Sequence, residues 1–118
     1  MIKVYQIQLT DAEIDMINNS DVAYTNPKIK AYFERLYETT FKAENFEHYT
    51  HVANVYTDDM DIAYREMNLW EDVNMVETFT DRNCSSMSIG DILEMEDGSL
   101  HRVSTWGFTA LPARKPVD

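Results

Sequence analysis

The distribution of glycine constrains the fold of this 118-residue chain more than any other sequence feature. The chain contains three glycines, Gly90, Gly98 and Gly107, and none lies in the first 89 residues. Glycine adopts a positive φ, or lets backbones pack closely, at little steric cost. We therefore expect the tight turns of the fold to be concentrated in the last third of the chain.

Length and composition indicate one folded domain. A chain of 118 residues can form one modest core and is too short for two. Its apolar fraction of 44% is typical of globular proteins and argues against wholesale disorder. We expect a single domain over residues 1–112 and a flexible tail over residues 113–118.

The sequence carries no sign of a membrane or secretory destination. No apolar run approaches the roughly 20 residues that span a bilayer, and residues 1–6 lack the apolar core of a signal peptide. The single cysteine, Cys84, excludes an internal disulfide and fits a reducing compartment. These features predict a soluble cytoplasmic protein.

The net charge of -11 is concentrated in one block. Residues 58–97 carry twelve acids and two bases, whereas residues 98–118 carry one acid and three bases. Binding to nucleic acid or to an anionic membrane needs lysine and arginine to neutralise phosphates. Direct binding to nucleic acid or to a membrane is therefore disfavoured, and a protein partner with a basic surface is favoured.

Local patterns predict helices and strands in the first half of the chain. Residues 2–9 alternate as a strand whose apolar face carries Tyr5, Ile7 and Leu9. Thr10 and Glu13 match the capping box, which predicts a short helix to about residue 18.

Further patterns predict two more helices and a second strand. Proline after Asn26 marks the start of a second helix, and apolar side chains at helical spacing extend it over residues 27–42 as an aromatic stripe. Residues 49–56 are rich in β-formers and are expected to pair with the first strand. Residues 57–61 supply an N-cap and acids for the start of a third helix, which runs to about residue 69.

The last third of the chain is predicted to be β-structure. Residues 89–96 and 99–104 flank Asp97-Gly98, a favoured pair for a two-residue hairpin turn. That turn would pair Glu94 with His101, Ile92 with Val103, and Met95 with Leu100. Residues 106–111 are expected to form a final short strand.

Together these elements predict an α+β fold. We expect a small, mostly antiparallel sheet with two or three helices packed on one face and a C-terminal β-hairpin.

The sequence offers no recognisable catalytic or metal-binding pattern. His48 and His51 straddle a predicted strand start, and no cysteine pair or HExxH motif completes a zinc site. His101 is interpreted as a cross-strand partner of Glu94, and Cys84 as a buried or incidental thiol. We therefore predict that the protein is not an enzyme and needs no cofactor or metal.

The acidic block has two interpretations that the sequence leaves open. It is either a solvated, solubilising face or a negative docking surface for a basic groove, imitating the charge of nucleic acid. The residues that we expect at the docking surface are Asp58, Asp59, Asp61, Glu66, Glu71 and Asp72.

The most distinctive C-terminal segments are Ser86-Met87-Ser88-Ile89-Gly90-Asp91-Ile92, Asp97-Gly98, Arg102-Val103 and Gly107-Phe108. In these segments the chain resembles a family of small, uncharacterised proteins encoded by tailed bacteriophages, and the signature is similar to one in YodL-like domains. The opening Val4-Tyr5-Gln6-Ile7-Gln8-Leu9-Thr10-Asp11 and the segment His51-Val52-Ala53 also look like the phage proteins.

The resemblance implies a phage gene product in the cytoplasm of an infected bacterium, and it brings no reaction with it. Its motif is interpreted as structural, with a turn or bulge at Gly90, a hairpin at Asp97 and Gly98, and a close approach at Gly107. The function expected is binding of a host or phage protein, for example to inhibit host transcription, nucleic-acid processing or defence. The alternative is an assembly module that forms a homo-oligomer of undetermined size through the sheet edge and the aromatic helix face.

Overall fold

The computed structural model describes residues 1–19, 25–37, 39–72, 74–79 and 84–112. The predicted tail over residues 113–118 lies outside the described residues. In chain order the helices and strands are β1 (Ile2–Gln6), α1 (Asp11–Asn19), α2 (Pro27–Glu34), a 3₁₀ helix (Ala43–His48), β2 (Thr50–Val55), α3 (Met60–Leu69), β3 (Val76–Thr78), β4 (Ile92–Glu94), β5 (Leu100–Ser104) and β6 (Gly107–Ala110).

One antiparallel sheet organises the molecule. Its strand order is β3-β2-β1-β4-β5-β6, so the N-terminal strand lies in the middle and β3 and β6 form the edges. Each neighbouring pair is antiparallel. The predicted α+β class with a C-terminal hairpin is confirmed. None of the helices described is long and apolar enough to cross a membrane.

The main core lies between one side of the sheet and α3. Ile2 and Val4 of β1 are fully buried together with Ala63 and Met67 of α3. These side chains recur at strand and helix periodicity, so the two elements bury their apolar faces against each other. This packing fixes the position of α3 relative to the sheet.

The opposite side of the sheet is covered by the chain around α2 and the 3₁₀ helix. Tyr5, which alternates with the core residues of β1, lies 4.9 Å from Phe46 between ring centroids. Arg102 of β5 lies over the Phe41 ring and donates to the Arg35 carbonyl at 2.8 Å. Helical segments therefore pack on both sides of the sheet, whereas the sequence predicts helices on one face only.

The first strand is shorter than predicted, and its buried face is the other one. The strand ends at Gln6, and its buried residues are Ile2, Val4 and Gln6. Tyr5 alternates with them and lies on the second side of the sheet, where its hydroxyl donates to Glu94 at 2.7 Å. Alternation alone could not choose between two faces that are both covered.

The predicted helix starts are confirmed in atomic detail. Thr10 and Glu13 form the reciprocal capping box, with the Thr10 N–H donating to the Glu13 carboxylate at 2.8 Å and the Glu13 N–H donating to the Thr10 hydroxyl at 3.2 Å. Asn26 caps α2 by accepting from Lys28 and Ile29. Both starts depend on local contacts, which is why the sequence predicts them well.

The second helix ends eight residues earlier than predicted, at Glu34. The Arg35 carbonyl accepts from the Arg102 guanidinium, and the Arg35 side chain donates to the Ile89 carbonyl at 2.6 Å. After this point the chain closes tighter turns, in which the Leu36 N–H donates to the Phe33 carbonyl. Tertiary contacts of Arg35 thus accompany the end of the helix, and the aromatic stripe predicted over residues 27–42 is not continuous.

The C-terminal hairpin forms at the predicted place with a different register. Ile92 pairs with Arg102, and Glu94 pairs with Leu100, so the predicted pairs are wrong by one residue. The Met95 N–H donates to the Ser99 carbonyl, which leaves a three-residue loop that ends at Gly98 with φ +85°. A final left-handed residue is typical of such loops. The extra loop residue shifts β5 by one position relative to β4, so every side chain of β5 lies on the opposite face from the one predicted.

The close backbone approach occurs at Gly90 and not at Gly107. A Cβ atom at Gly90 would lie 2.4 Å from the Arg35 carbonyl oxygen, whereas one at Gly107 would have open space around it. The Gly90 N–H donates to the Val103 carbonyl while the Val103 N–H donates to the Asp91 carbonyl. Gly90 and Asp91 therefore both lie opposite Val103, which is the geometry of a β-bulge with glycine in the left-handed position.

Candidate protein-binding surface

Three of the predicted docking acids lie together at the N-terminal end of α3. Asp59 is the N-cap residue, and its carboxylate accepts from the backbone N–H groups of Asp61 and Ile62. Asp58 precedes it, and all three acids are exposed. Carboxylates stabilise the positive end of a helix, so the fold places this negative cluster without strain.

The acidic cluster extends onto the C-terminal hairpin. The terminal amino group of Met1 lies 3.3 Å from Asp58 and 2.9 Å from Glu96. The hydrogen bond to Glu96 is the largest contribution that raises the pKa of this amino group. These contacts bring acids from the two ends of the acidic block to one end of the molecule.

The remaining predicted docking acids do not join the cluster. Glu71 and Asp72 are exposed but lie beyond the C-terminal end of α3, about 15 Å away for a ten-residue helix. Glu66 is only 3% exposed and accepts from the Asp72 backbone N–H at 3.0 Å. Glu66 therefore closes the end of α3 and is not part of the exposed surface, because its carboxylate is buried.

The most exposed aromatic residue of the described chain is Trp106, at the tip of the β5–β6 hairpin. Its side chain is 97% exposed, and Ser104 pairs with Gly107 on either side of the two-residue turn. Trp106 is not among the residues that the sequence predicts at the docking surface. The available signal was a tryptophan directly before Gly107 at a tight turn, because tight turns favour small or polar residues.

Two cavities border the β5–β6 hairpin. The larger, of about 420 Å³, is lined by Leu36, Tyr37, Thr39, Arg102, Ser104, Thr105, Trp106, Phe108 and Thr109. The smaller, of about 240 Å³, is lined by Asp61, Tyr64, Val103, Ser104, Thr105, Gly107 and Phe108. The smaller cavity connects the acidic end of α3 to the aromatic hairpin, since Asp61 and Phe108 both line it.

We call this region the acid–aromatic surface, and it comprises Asp58, Asp59, Asp61, Tyr64, Trp106 and Phe108. The rings of Tyr64 and Phe108 meet edge to face at 6.4 Å between centroids, and Tyr64 is 41% exposed. Exposed aromatic side chains beside charged groups are typical of protein-binding sites. The arrangement can bind a cationic, partly apolar partner.

A buried polar network lies beside the bulge at the start of β4. Gln6 donates to the Asp91 carboxylate at 3.0 Å, and the Ser88 N–H donates to the same carboxylate at 2.9 Å. Burial raises the pKa of Asp91 from 3.8 to about 6, although these hydrogen bonds and the charge of Arg35 lower it. Burial also raises the pKa of the Tyr49 phenol, whose hydroxyl donates to the Gly90 carbonyl.

The candidate chemical groups considered from the sequence remain apart. His48 ends the 3₁₀ helix, whereas His51 lies in β2 and contacts Asn54 at 2.7 Å. His101 contacts the Ser99 hydroxyl and does not pair with Glu94, which accepts from Tyr5 instead. Within the described ranges no group of three or more histidine, cysteine or acidic side chains is placed to hold a metal ion.

Cys84 is half-buried, and its environment does not favour the reactive thiolate. Burial, followed by the nearby charge of Asp91, raises the pKa of the Cys84 thiol from 9.0 to about 11. Nucleophilic cysteines have the opposite shift, because a nearby cation or helix N-terminus lowers their pKa.

Comparison with protein-family models, with curated proteins and with solved structures returned no match to this chain.

Proposed function

We propose that this chain is a non-catalytic, phage-encoded binding protein that engages a host or phage protein through the acid–aromatic surface. The partner carries a basic surface, and the encounter takes place in the cytoplasm of an infected bacterium. Inhibition of host transcription, nucleic-acid processing or defence is the consequence that fits such binding.

The observation that carries this proposal is the junction of Asp61 with Tyr64 and Phe108 in one cavity beside Trp106. An acidic cluster alone is also what a solubilising surface contains. An indole that is 97% exposed has no value for solubility or for the core. Its position at the tip of the hairpin, between two residues that line the cavity of Asp61, therefore favours binding over solubilisation.

A capture experiment from bacterial lysate tests the proposal. The bait variant changes Asp58, Asp59 and Asp61 to asparagine, which removes three charges while asparagine at position 59 can still cap α3. We expect proteins that are captured by the wild-type chain to be lost from this variant, since charge complementarity governs encounter and specificity.

The matched control changes Asp15 to asparagine and Glu44 and Glu47 to glutamine, three exposed acids outside the acid–aromatic surface. It removes the same total charge and should keep the captured partners. Equal capture by the wild-type chain and both variants would show that the acid–aromatic surface is not the binding site.

The alternative function is a homo-oligomeric assembly module. The position of β6 favours it, because β6 is an edge strand in the part of the chain that the structure describes, and an edge strand can pair with a second copy. The continuous aromatic helix face that was expected to assist is absent, since α2 ends at Glu34. Light scattering separates the two functions: a stable closed oligomer that captures no partner supports assembly, and a monomer that captures one supports binding.

A further inference from the structure

We infer that the edge of β6 accepts an extended segment of the partner as an added strand. This segment carries an arginine or lysine next to an aromatic or large apolar residue. This inference rests on the proposed function and names the mode of binding. It commits to one occupant, a cationic extended peptide segment of another protein.

The backbone of β6 presents hydrogen-bonding groups at the sheet edge. The Leu111 N–H donates to the Leu100 carbonyl at 2.9 Å. Residues 109 and 107 lie two and four positions before Leu111, so their backbone N–H and C=O groups also point toward β5. Because backbone groups alternate along an antiparallel strand, the N–H and C=O groups of Phe108 and Ala110 point away from β5. They form the positions at which an added strand would pair.

The cavity on the core side of the hairpin suits a cationic side chain. Asp61 and Tyr64 line it, and Asp58 and Asp59 add negative charge one turn away. A carboxylate and an aromatic ring together attract a guanidinium or ammonium group by charge and by cation–π interaction. This complementarity selects lysine or arginine for this position of the segment.

The cavity on the opposite side of the hairpin suits a large apolar side chain. Leu36, Tyr37 and Trp106 supply apolar walls, and among the described residues that line this cavity Arg102 is the charged one. A second cation would meet this guanidinium, whereas an aromatic ring would bury apolar surface against Trp106. This cavity therefore selects an aromatic or large aliphatic residue.

The two cavities lie on opposite sides of the β5–β6 hairpin, and that arrangement sets the sequence of the segment. Val103 and Arg102 are consecutive in β5 and line the smaller and the larger cavity respectively. Successive side chains of a strand also point to opposite faces. An added strand would therefore place neighbouring residues, one cationic and one aromatic, into the two cavities.

A synthetic peptide tests the inference directly. The probe is acetyl-Thr-Val-Arg-Phe-Val-Thr-amide, titrated into the full chain while amide hydrogen exchange is followed by NMR. We expect exchange at Phe108 and Ala110 to slow at least tenfold in the complex. An acidic peptide with glutamate in place of arginine should bind at least tenfold more weakly.

Two N-methylated peptides separate strand pairing from side-chain docking. Each carries methyl groups on one of the two alternating sets of backbone nitrogens and keeps all side chains. Strand addition predicts that one peptide loses binding and the other binds within threefold of the parent. Ala110→Pro, which removes an outward N–H of the protein, should weaken the parent peptide as well.

The outcomes distinguish this inference from the proposed function. Binding that depends on Asp58, Asp59 and Asp61 but leaves exchange at Phe108 and Ala110 unchanged overturns strand addition and leaves the acid–aromatic surface in place. Equal binding of both N-methylated peptides, or no binding of the parent peptide, also overturns strand addition. The lysate capture then decides the proposed function by itself.

Discussion

The buried carboxyl group of Asp91 should make stability depend on pH. Its pKa is raised from 3.8 to about 6 by burial, so its contribution favours folding fully below pH 3.8 and is lost as the pH rises through 6. Asp91→Asn removes this titration. We expect the stability of the wild-type chain relative to the variant to fall by roughly 3 kcal/mol between pH 4 and pH 8.

Urea denaturation of both proteins across this pH range measures the difference. Taking the difference cancels other titrating groups that the two proteins share. A constant difference in the free energy of unfolding from pH 4 to pH 8 would show that Asp91 does not titrate in this range.

The thiol of Cys84 should react slowly. A pKa raised from 9.0 to about 11 lowers the thiolate fraction at pH 8 about 100-fold. A thiolate of higher pKa is a stronger nucleophile, which offsets roughly half of this effect on a logarithmic scale. Reaction with a disulfide reagent at pH 8 should therefore be roughly 10-fold slower in the folded protein than in the urea-unfolded chain. Equal rates in the two states would mean that the thiol is neither buried nor influenced by Asp91.

Among the elements, the bulge at the start of β4 is the most sensitive to substitution. Gly90→Ala combines a positive φ with a Cβ 2.4 Å from the Arg35 carbonyl, whereas Gly98→Ala has a similar φ and no contact. We expect about 1–2 kcal/mol of destabilisation for Gly98→Ala and about 3 kcal/mol or more for Gly90→Ala.

Chemical denaturation of the two alanine variants gives this comparison directly, since the near-equal φ values of +89° and +85° make one variant the control for the other. Equal losses of stability would mean that the close approach between Gly90 and Arg35 contributes nothing.

The elements that local sequence predicts are those that depend on local contacts. The capping box of α1 and the Asn26 cap of α2 follow from neighbours three residues apart. The end of α2 involves the contact of Arg35 with Arg102, 67 residues away, which no local pattern contains. The hairpin was located from Asp97 and Gly98, but its register depends on a loop one residue longer than the favoured turn.

The candidate site was predictable in part. Local composition identified Asp58, Asp59 and Asp61, because acids at a helix start are exposed and near each other. It could not show that Glu66 is buried, since helix rotation is set by packing against the sheet. Trp106 was missed because exposure of an aromatic residue depends on the whole fold.

At the scale of the whole molecule, an acidic end of α3 and an aromatic hairpin tip meet although they are separated by some 45 residues of chain. The sheet order allows this, because β5 and β6 extend the sheet beyond β4, and Tyr64 of α3 contacts Phe108 of β6. The arrangement leaves Trp106 outside the core. Binding and stability are therefore separable at this position.

Trp106→Ala should leave stability unchanged. A side chain that is 97% exposed contributes little to folding, so we expect the free energy of unfolding to stay within about 0.5 kcal/mol of the wild-type value. Thermal denaturation of the variant checks this. A large loss of stability would mean that the indole packs in the folded protein and is not free to bind.

Binding at the acid–aromatic surface is tested by a calorimetric titration of the Arg-Phe peptide into three proteins: the wild-type chain, Trp106→Ala and Tyr56→Ala. Tyr56 is 52% exposed, lies next to the opposite sheet edge and serves as the matched aromatic control. A central aromatic contact is worth about 2 kcal/mol, so Trp106→Ala should weaken binding about 30-fold and Tyr56→Ala less than threefold. Equal affinity of Trp106→Ala and the wild-type chain would contradict the assignment of this surface as the binding site.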